Sequence, residues 1–250
     1  MGKKYSIGII GYGDFTKLLI EHLSPYAKIY VSSRRSVSGP AGGGAEFADI
    51  KTVLSQPIII PSIPSQFFEH FFSEHGREIN PNALIIDVCS VKTSPLSVLL
   101  SRAPETCQII GTHPMFGPAS VAKNGGVRGL KCVVAPVRAD EKTVHRFERF
   151  LLKKLKLTLI HKTPEQHDRE MAYVQGLSHY IGRIMQQMKI PESELAMIAY
   201  EDLLDMKNIQ GADSWELFAS IMTDNPYAKQ VNEEFDRAAR ALDDQIWPQT

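Results

Sequence analysis

Residues 5–16 read YSIGIIGYGDFT, and this stretch decides how the first half of the chain folds. The apolar run Tyr5 to Ile10 predicts a strand, which Gly11-Tyr12-Gly13 ends. The apolar residues that follow recur at helical spacing, at positions 15, 18, 19 and 23. The sequence therefore predicts a strand, a glycine turn and a helix in that order.

The same alternation continues along the first 161 residues. Further apolar runs at 28–31, 57–60, 83–88, 107–110, 131–135 and 155–160 predict strands. Helical spacing lies between them at 65–76, 94–101 and 141–154. Strands that alternate with helices are typical of an α/β fold, here a Rossmann-like, doubly wound and mostly parallel sheet.

Beyond His161 the alternating strands disappear and helical spacing takes over. Residues 163–188 predict one long helix, and Pro191 and Asn225-Pro226 separate further helices that reach about Leu242. We therefore expect a Rossmann-like domain at 1–161 and a smaller all-helical domain at 162–250. Since about 90 residues rarely cover their own apolar faces, we expect a homodimer.

Composition excludes several classes of partner. The chain has 28 Lys and Arg against 28 Asp and Glu, so no strong field favours nucleic acid or an anionic membrane. No apolar run approaches the roughly 18 residues of a membrane span. The three cysteines form no zinc or redox motif and suit a reducing compartment, so we expect a cytoplasmic protein.

The glycine turn predicts a dinucleotide site. Gly11 permits the tight turn and Gly13 a close approach of the pyrophosphate to the helix N-terminus. The third position of the fingerprint is Thr16 instead of glycine. We assign Tyr12, Asp14 and Phe15 to the same cofactor site, with a plain glycine turn as the alternative.

The end of the second strand predicts which dinucleotide binds. An acidic residue there would bind the ribose 2′-hydroxyl of NAD, but this chain has Ser32, Ser33, Arg34 and Arg35. Hydroxyls and guanidinium groups suit a 2′-phosphate, so we expect NADP, with NAD less favoured. Ser62 and Pro64, after the next strand, are expected near the nicotinamide ribose.

Two motifs follow the next pair of predicted strands. They are DVCSVK at 87–92 and GTHPMFGP at 111–118. The carboxyl ends of parallel strands form the edge at which ligands bind. Taken alone, His113 could equally be a structural histidine in a turn.

Together these two motifs resemble those of the prephenate and arogenate dehydrogenases of tyrosine biosynthesis. The resemblance extends to HDxxMAYxQxLSH at 167–179 and covers nearly the whole chain. The motifs YExLL at 200–204 and GxDS at 211–214 are most similar to those of the plant-type arogenate enzymes, which typically use NADP.

The resemblance implies an oxidative decarboxylation that transfers hydride from a cyclohexadienol to NADP. It implies that His113 accepts the proton of the ring hydroxyl, a role that suits a neutral histidine. Ser90 resembles the serine that lies beside the same hydroxyl. Aromatisation drives the loss of carbon dioxide, so no metal is expected.

The resemblance also implies substrate-binding residues. His179 shares a helix face with Gln175 and Arg183, and the family points this face at the substrate. The alternative is a structural histidine that hydrogen-bonds between helices. Asp168 could bind the amine of arogenate or merely stabilise a helix N-terminus. Lys92 and Lys123 could balance substrate carboxylates, although most lysines are simply solvated.

One departure from the family concerns the arginine that clamps the ring carboxylate in many bacterial enzymes. Residues 208–215 read NIQGADSW and contain no arginine, so either another cation, such as Arg183 or Lys123, holds the substrate or the preferred substrate is not prephenate. The alternatives are another NADP-dependent oxidoreductase, such as a β-hydroxyacid dehydrogenase or imine reductase, or a non-catalytic NADPH-binding regulator. Residues 163–187 contain no lysine, which argues against the β-hydroxyacid dehydrogenases.

Overall fold

The computed structural model describes residues 5–34, 41–211 and 213–247. The chain divides into two compact units, Met1–Glu165 and Gln166–Thr250. Among the described residues, no helix has the length and apolar character needed to cross a membrane.

The first unit contains one eight-stranded sheet. Its strands are β1 Tyr5–Ile10, β2 Ala27–Ser32, β3 Glu46–Phe47, β4 Ile58–Pro61, β5 Leu84–Asp87, β6 Gln108–Pro114, β7 Lys131–Arg138 and β8 Thr158–His161. The strand order is β3-β2-β1-β4-β5-β6-β7-β8. Every neighbouring pair is parallel except β6 and β7. The predicted Rossmann-like, mostly parallel sheet is confirmed.

Helices cover both faces of this sheet, as a buried parallel sheet requires. They are α1 Asp14–Leu23, α2 Ile50–Leu54, α3 Phe68–His75, α4 Thr93–Arg102, α5 Pro118–Asn124 and α6 Glu141–Phe150. Short 3₁₀ turns lie at Ser65–Phe67 and Gly76–Glu78. The fully buried Phe68, Ile85 and Leu99 belong to the core on the side of α3 and α4.

Three short elements escaped the sequence analysis, namely β3, α2 and α5. Capping explains the two helices: the Asp49 side chain accepts a hydrogen bond from the Thr52 N–H at 2.7 Å, and Pro118 opens α5. Both helices have seven or fewer residues, so hydrophobic periodicity carries little signal over them.

The second unit is helical. Its helices are α7 Pro164–Met171, α8 Ser178–Met188, α9 Ile198–Gly211, α10 Trp215–Thr223 and α11 Ala228–Ile246. The long helix predicted over 163–188 contains a π-helical segment, Ala172–Leu177, between α7 and α8. The apolar spacing could not reveal this change of winding, because a π turn adds one residue without breaking the helical run.

Candidate active site

The glycine turn lies at the end of β1, which is the strand between β2 and β4 where the strand order reverses. Gly11 has a φ of +101° and a Cβ at this position would lie 2.4 Å from the Ser62 carbonyl oxygen, so no other residue fits. A Cβ at Gly13 would meet no described atom within 4 Å. Gly13 caps α1 without a side chain, which leaves room for a pyrophosphate at the helix N-terminus. This turn fits a dinucleotide.

Thr16 occupies the third position of the fingerprint and is fully buried. Its hydroxyl lies 2.9 Å from the Ser62 hydroxyl and 3.2 Å from the Gly11 carbonyl oxygen. The threonine therefore joins the first turn of α1 to the loop after β4. This contact was not anticipated from the sequence, because the two hydroxyls are 46 residues apart.

The predicted 2′-phosphate residues follow β2. The Gly11 N–H donates to the Ser32 carbonyl oxygen at 2.8 Å, which ties the ends of β1 and β2 together. Ser33 and Arg34 come next, and the Arg34 guanidinium lies over the Phe67 ring with its carbon 5.2 Å from the ring centroid. Arg35 lies outside the described residues. Phe67 was not among the predicted site residues.

The remaining predicted cofactor residues lie around the same turn. Tyr12 donates a hydrogen bond to the Ala41 carbonyl oxygen at 3.1 Å. Asp14 is exposed and pairs with Lys17 at 2.8 Å, and the hydrogen bond and charge of Lys17 lower the pKa of Asp14. Phe15 lines an apolar cavity of about 770 Å³ on one face of the sheet. Pro64 immediately precedes the 3₁₀ turn at Ser65–Phe67.

Ser90 follows the end of β5, whereas His113 lies within the adjacent parallel strand β6, which extends to Pro114 and therefore beyond the predicted run at 107–110. Asp87 of β5 pairs in register with Gly111 of β6, and Ser90 and His113 come three and two residues later. The Thr112 hydroxyl donates to the Asp87 carbonyl oxygen at 2.7 Å and holds the two strand ends together. His113 is 5% exposed, and Ser90 is half-buried. Both lie at the same edge of the sheet as the glycine turn.

A buried ion pair supports the loop that carries Ser90. Lys92 pairs with Asp87, and neither side chain is exposed. The second carboxylate oxygen of Asp87 accepts a hydrogen bond from the Cys89 N–H at 3.0 Å. Lys92 is therefore neither a solvated lysine nor an exposed cation for substrate. Lys123, the other candidate, lies exposed in the last turn of α5.

In the second unit, His179 lies in α8 between two hydrogen-bond acceptors. Its Nδ1 is 2.9 Å from the main-chain oxygen of Gln175, and its Nε2 is 2.9 Å from a carboxylate oxygen of Asp213. The ring can donate to both acceptors only when both nitrogens carry a proton. The resemblance had drawn attention to the GxDS word, but not to Asp213 as the partner of His179.

Arg183 contacts the same turn. It donates to the main-chain oxygen of Asp213 at 2.5 Å and to the Gln186 side chain at 3.0 Å. Its guanidinium also lies over the Phe218 ring. His179 and Arg183 thus both contact Asp213.

Asp168 is fully buried in α7. Its carboxylate lies 2.7 Å from Nδ1 of His167, and the Asn225 side chain donates to the Asp168 main-chain oxygen at 2.8 Å. The sequence analysis left Asp168 open between binding the amine of arogenate and stabilising a helix N-terminus. Asp168 is the fifth residue of α7, beyond the first turn, and is buried beside His167 and Asn225. No group of three or more potential metal ligands occurs among the described residues.

Two family models match the chain. The model described as prephenate dehydrogenase, nucleotide-binding domain, matches residues 36–157. The model described as prephenate dehydrogenase, dimerization domain, matches residues 163–249. The first match begins after the glycine turn, so the assignment of this turn to a dinucleotide rests on the geometry described above and not on the family model.

Curated relatives and solved structures point the same way. Arogenate dehydrogenase 1, chloroplastic, of Arabidopsis thaliana is 31% identical over 94% of this chain. Arogenate dehydrogenase 2, chloroplastic, of the same plant is 26% identical over 96%. The chain spans 38% of the length of the first relative and 70% of the second.

Among solved structures, prephenate dehydrogenase from Aquifex aeolicus in complex with hydroxyphenyl propionate and NAD⁺ has a TM-score of 0.75 and 19% identity, covering 97% of this chain and 90% of that one. Synechocystis arogenate dehydrogenase has a TM-score of 0.67 and 22% identity, covering 97% and 94%. At these identities the likeness establishes the fold.

Proposed function

The chain belongs to the prephenate dehydrogenase family, and from this premise we propose that it oxidatively decarboxylates arogenate or prephenate with NADP, and arogenate in preference. One observation carries the proposal. Ser90 lies three residues beyond Asp87 of β5 and His113 lies two residues beyond Gly111, the register partner of Asp87 in β6, at the sheet edge that also bears the glycine turn. A hydride acceptor and a proton acceptor would thus serve one substrate at one edge.

The cofactor, when bound, supplies the hydride acceptor. Gly11 and Gly13 would hold the pyrophosphate at the N-terminus of α1, where the helix dipole favours an anion. Ser32, Ser33, Arg34 and Arg35 would bind the 2′-phosphate. The support for NADP is the absence of an acid directly after β2, together with the placement of Arg34.

We assign the proton to His113 and the orientation of the substrate to Ser90. As the C4–H bond breaks and its electron pair leaves as hydride, the hydroxyl proton moves to His113. The bond to the ring carboxylate then breaks, its electrons enter the ring and carbon dioxide departs. The phenolate that remains takes the proton back from His113 to give the phenol. Burial of His113 to 5% exposure limits competition from water for that proton.

We propose that residues of the second unit recognise the remaining groups of the substrate. Gln175, His179 and Arg183 would donate hydrogen bonds to a substrate carboxylate, and Arg183 would also supply positive charge. Lys123 is retained as a candidate cation. Because His179 and Arg183 both contact Asp213, their side chains are held in a fixed arrangement. Asp168 would be the counter-charge for the amine of arogenate. The lack of arginine over 208–215 supports arogenate over prephenate.

We propose that the protein is a homodimer formed through the second unit. Its support is the match to a dimerization-domain model and a set of large apolar side chains that the unit exposes. These are Val174 62%, Leu195 89%, Met197 75%, Ile198 79%, Ile209 63% and Trp215 63%. Such exposure is typical of a surface that another protein covers.

We also propose that the protein works in a reducing compartment, such as the cytoplasm. The support is that Cys89, Cys107 and Cys132 form no disulfide.

The test is to follow nicotinamide reduction by the purified chain with arogenate and with prephenate, each with NADP and with NAD. We expect turnover with both arogenate and prephenate, and the highest kcat/KM for arogenate with NADP. The matched control is His113→Asn, which should lower turnover by about 10²–10⁴-fold in every pairing. No turnover in any pairing, while NADPH still binds, would reject this reaction and favour another NADP-dependent oxidoreductase or a non-catalytic regulator.

A further inference from the structure

The ends of three strands are joined at the edge where the cofactor is proposed to bind. Beyond the last paired residues, the Gly11 N–H donates to the Ser32 carbonyl oxygen and the Ser62 N–H donates to the Ile10 carbonyl oxygen, both at 2.8 Å. These bonds hold the ends of β2, β1 and β4 side by side. Arg34 lies two residues after the end of β2, and Phe67 lies six residues after the end of β4.

The side chains of Arg34 and Phe67 are in contact. The guanidinium carbon lies over the ring, 5.2 Å from its centroid, within the range of a cation–π contact. The two residues are separated by β3, α2 and β4 in the chain, so only the fold brings them together.

Phe67 rests on a rigid support. It ends the 3₁₀ turn at Ser65–Phe67, and its N–H donates to the Pro64 carbonyl oxygen at 3.0 Å. The next residue, Phe68, is 0% exposed and packs against Phe72 in the core. The position of the Phe67 ring is therefore set by the core, although the ring itself is only half-buried.

Arg34, in contrast, is exposed. An exposed arginine has many rotamers, and ordering it on a ligand costs entropy. Stacking on an aromatic ring uses the flat face of the guanidinium and leaves its N–H edge for hydrogen bonds to a phosphate. A stacked Arg34 would thus lose less freedom when an anion binds.

We propose that Phe67 is a positioning residue for cofactor choice: its ring holds the Arg34 guanidinium where its N–H groups bind the 2′-phosphate of NADP. This inference rests on the proposed function, because it takes NADP as the cofactor. Phe67 then acts through Arg34 and has no effect on NAD, which lacks the phosphate.

The test measures NADPH and NADH binding to the full chain by nicotinamide fluorescence. The variants are Phe67→Leu, Phe67→Tyr, Arg34→Ala and the double variant Phe67→Leu/Arg34→Ala. A cation–π contact at an exposed site corresponds to a roughly two- to fivefold change in affinity. We therefore expect Phe67→Leu to weaken NADPH about two- to fivefold and to leave NADH unchanged. Phe67→Tyr keeps the aromatic face and should bind NADPH like the wild type.

The double variant separates positioning from direct contact. In the Arg34→Ala background, Phe67→Leu should produce no further loss of NADPH affinity. The matched control is Phe71→Leu, another half-buried phenylalanine, which packs against Phe72 and His75 instead of Arg34. It should leave both affinities unchanged, and kcat at saturating NADP should be equal in Phe67→Leu and the wild type.

Two results would overturn the inference. Equal weakening of NADPH and NADH by Phe67→Leu would mean that the ring contacts a part of the cofactor common to both. A loss that persists in the Arg34→Ala background would mean that Phe67 does not act through Arg34. A failure of the proposed function is recognised separately, because the wild type would then bind neither cofactor or would not prefer NADPH.

Discussion

Lys92 and Asp87 form an ion pair in which neither side chain is exposed to solvent. Both lie at the carboxyl end of β5, on either side of Ser90. Two buried charges are expensive to desolvate, and the pair is tolerated only while both partners are present. The pair therefore anchors the loop that carries the proposed catalytic serine, and its loss should affect both stability and turnover.

Lys92→Met should reduce the free energy of unfolding by about 3–5 kcal/mol, because Asp87 is left buried without its counter-charge. Urea unfolding followed by circular dichroism measures this loss. Asp87→Asn in the same chain should restore part of the stability. Lys142→Met, at an exposed position of α6, is the control and should stay within about 0.5 kcal/mol of the wild type. A loss below about 1 kcal/mol for Lys92→Met would show that the pair does not hold the loop.

Cys132 should make the protein less stable in alkali. Burial raises the pKa of its thiol to about 12, against a partly compensating effect of the Lys92 charge. The unfolded thiol loses its proton near pH 8.5, so between these values the native state binds more protons than the unfolded state. The free energy of unfolding contributed by this group is therefore complete below about pH 8.5 and declines as the pH rises towards 12.

The measurement for Cys132 is urea unfolding at pH 8 and at pH 10.5, compared between the wild type and Cys132→Val. The variant should lose less stability between the two pH values, since tyrosine and lysine titration is common to both proteins. An identical loss in both would contradict the assignment.

His113→Asn should lower kcat by about 10²–10⁴, because the hydroxyl proton then lacks an acceptor. NADPH affinity should stay close to that of the wild type, since His113 is not assigned to cofactor binding. His70→Asn, on the exposed side of α3, serves as the control. Turnover near the wild-type rate would remove His113 from the mechanism.

Replacing both Arg34 and Arg35 by alanine should raise KM for NADP while KM for NAD stays the same. Hydrogen bonds from guanidinium groups to a phosphate dianion are lost only for NADP. Steady-state kinetics with each cofactor, at saturating arogenate, measures the change. If both KM values rise together, the two arginines do not recognise the 2′-phosphate.

Sedimentation equilibrium should give about twice the chain mass of 27.9 kDa. Ile198→Asp introduces a charge at a side chain that is 79% exposed in the single chain, and it should shift the equilibrium to monomer if this surface is the interface. Lys153→Asp, on the first unit, should leave the dimer intact. A wild-type protein that sediments as a monomer would reject the dimer.

The sequence by itself determined the elements and their order. An apolar run that stops at Gly-x-Gly, with helical spacing after it, specifies strand, turn and helix through neighbouring residues alone. The mostly parallel sheet follows from the repeated alternation, since parallel strands need helical connections. Short capped helices such as α2 and the π segment in the second unit escaped because their signals are too short for periodicity.

The tertiary structure alone decided which side chains are partners. Thr16 meets Ser62, His179 meets Asp213 and Arg34 meets Phe67, and each pair is more than 30 residues apart. Burial of Lys92 likewise depends on the elements that surround it and not on its neighbours in the chain. Periodicity records which face of an element is apolar, whereas a contact depends on how distant elements pack, and that information exists only in the folded chain.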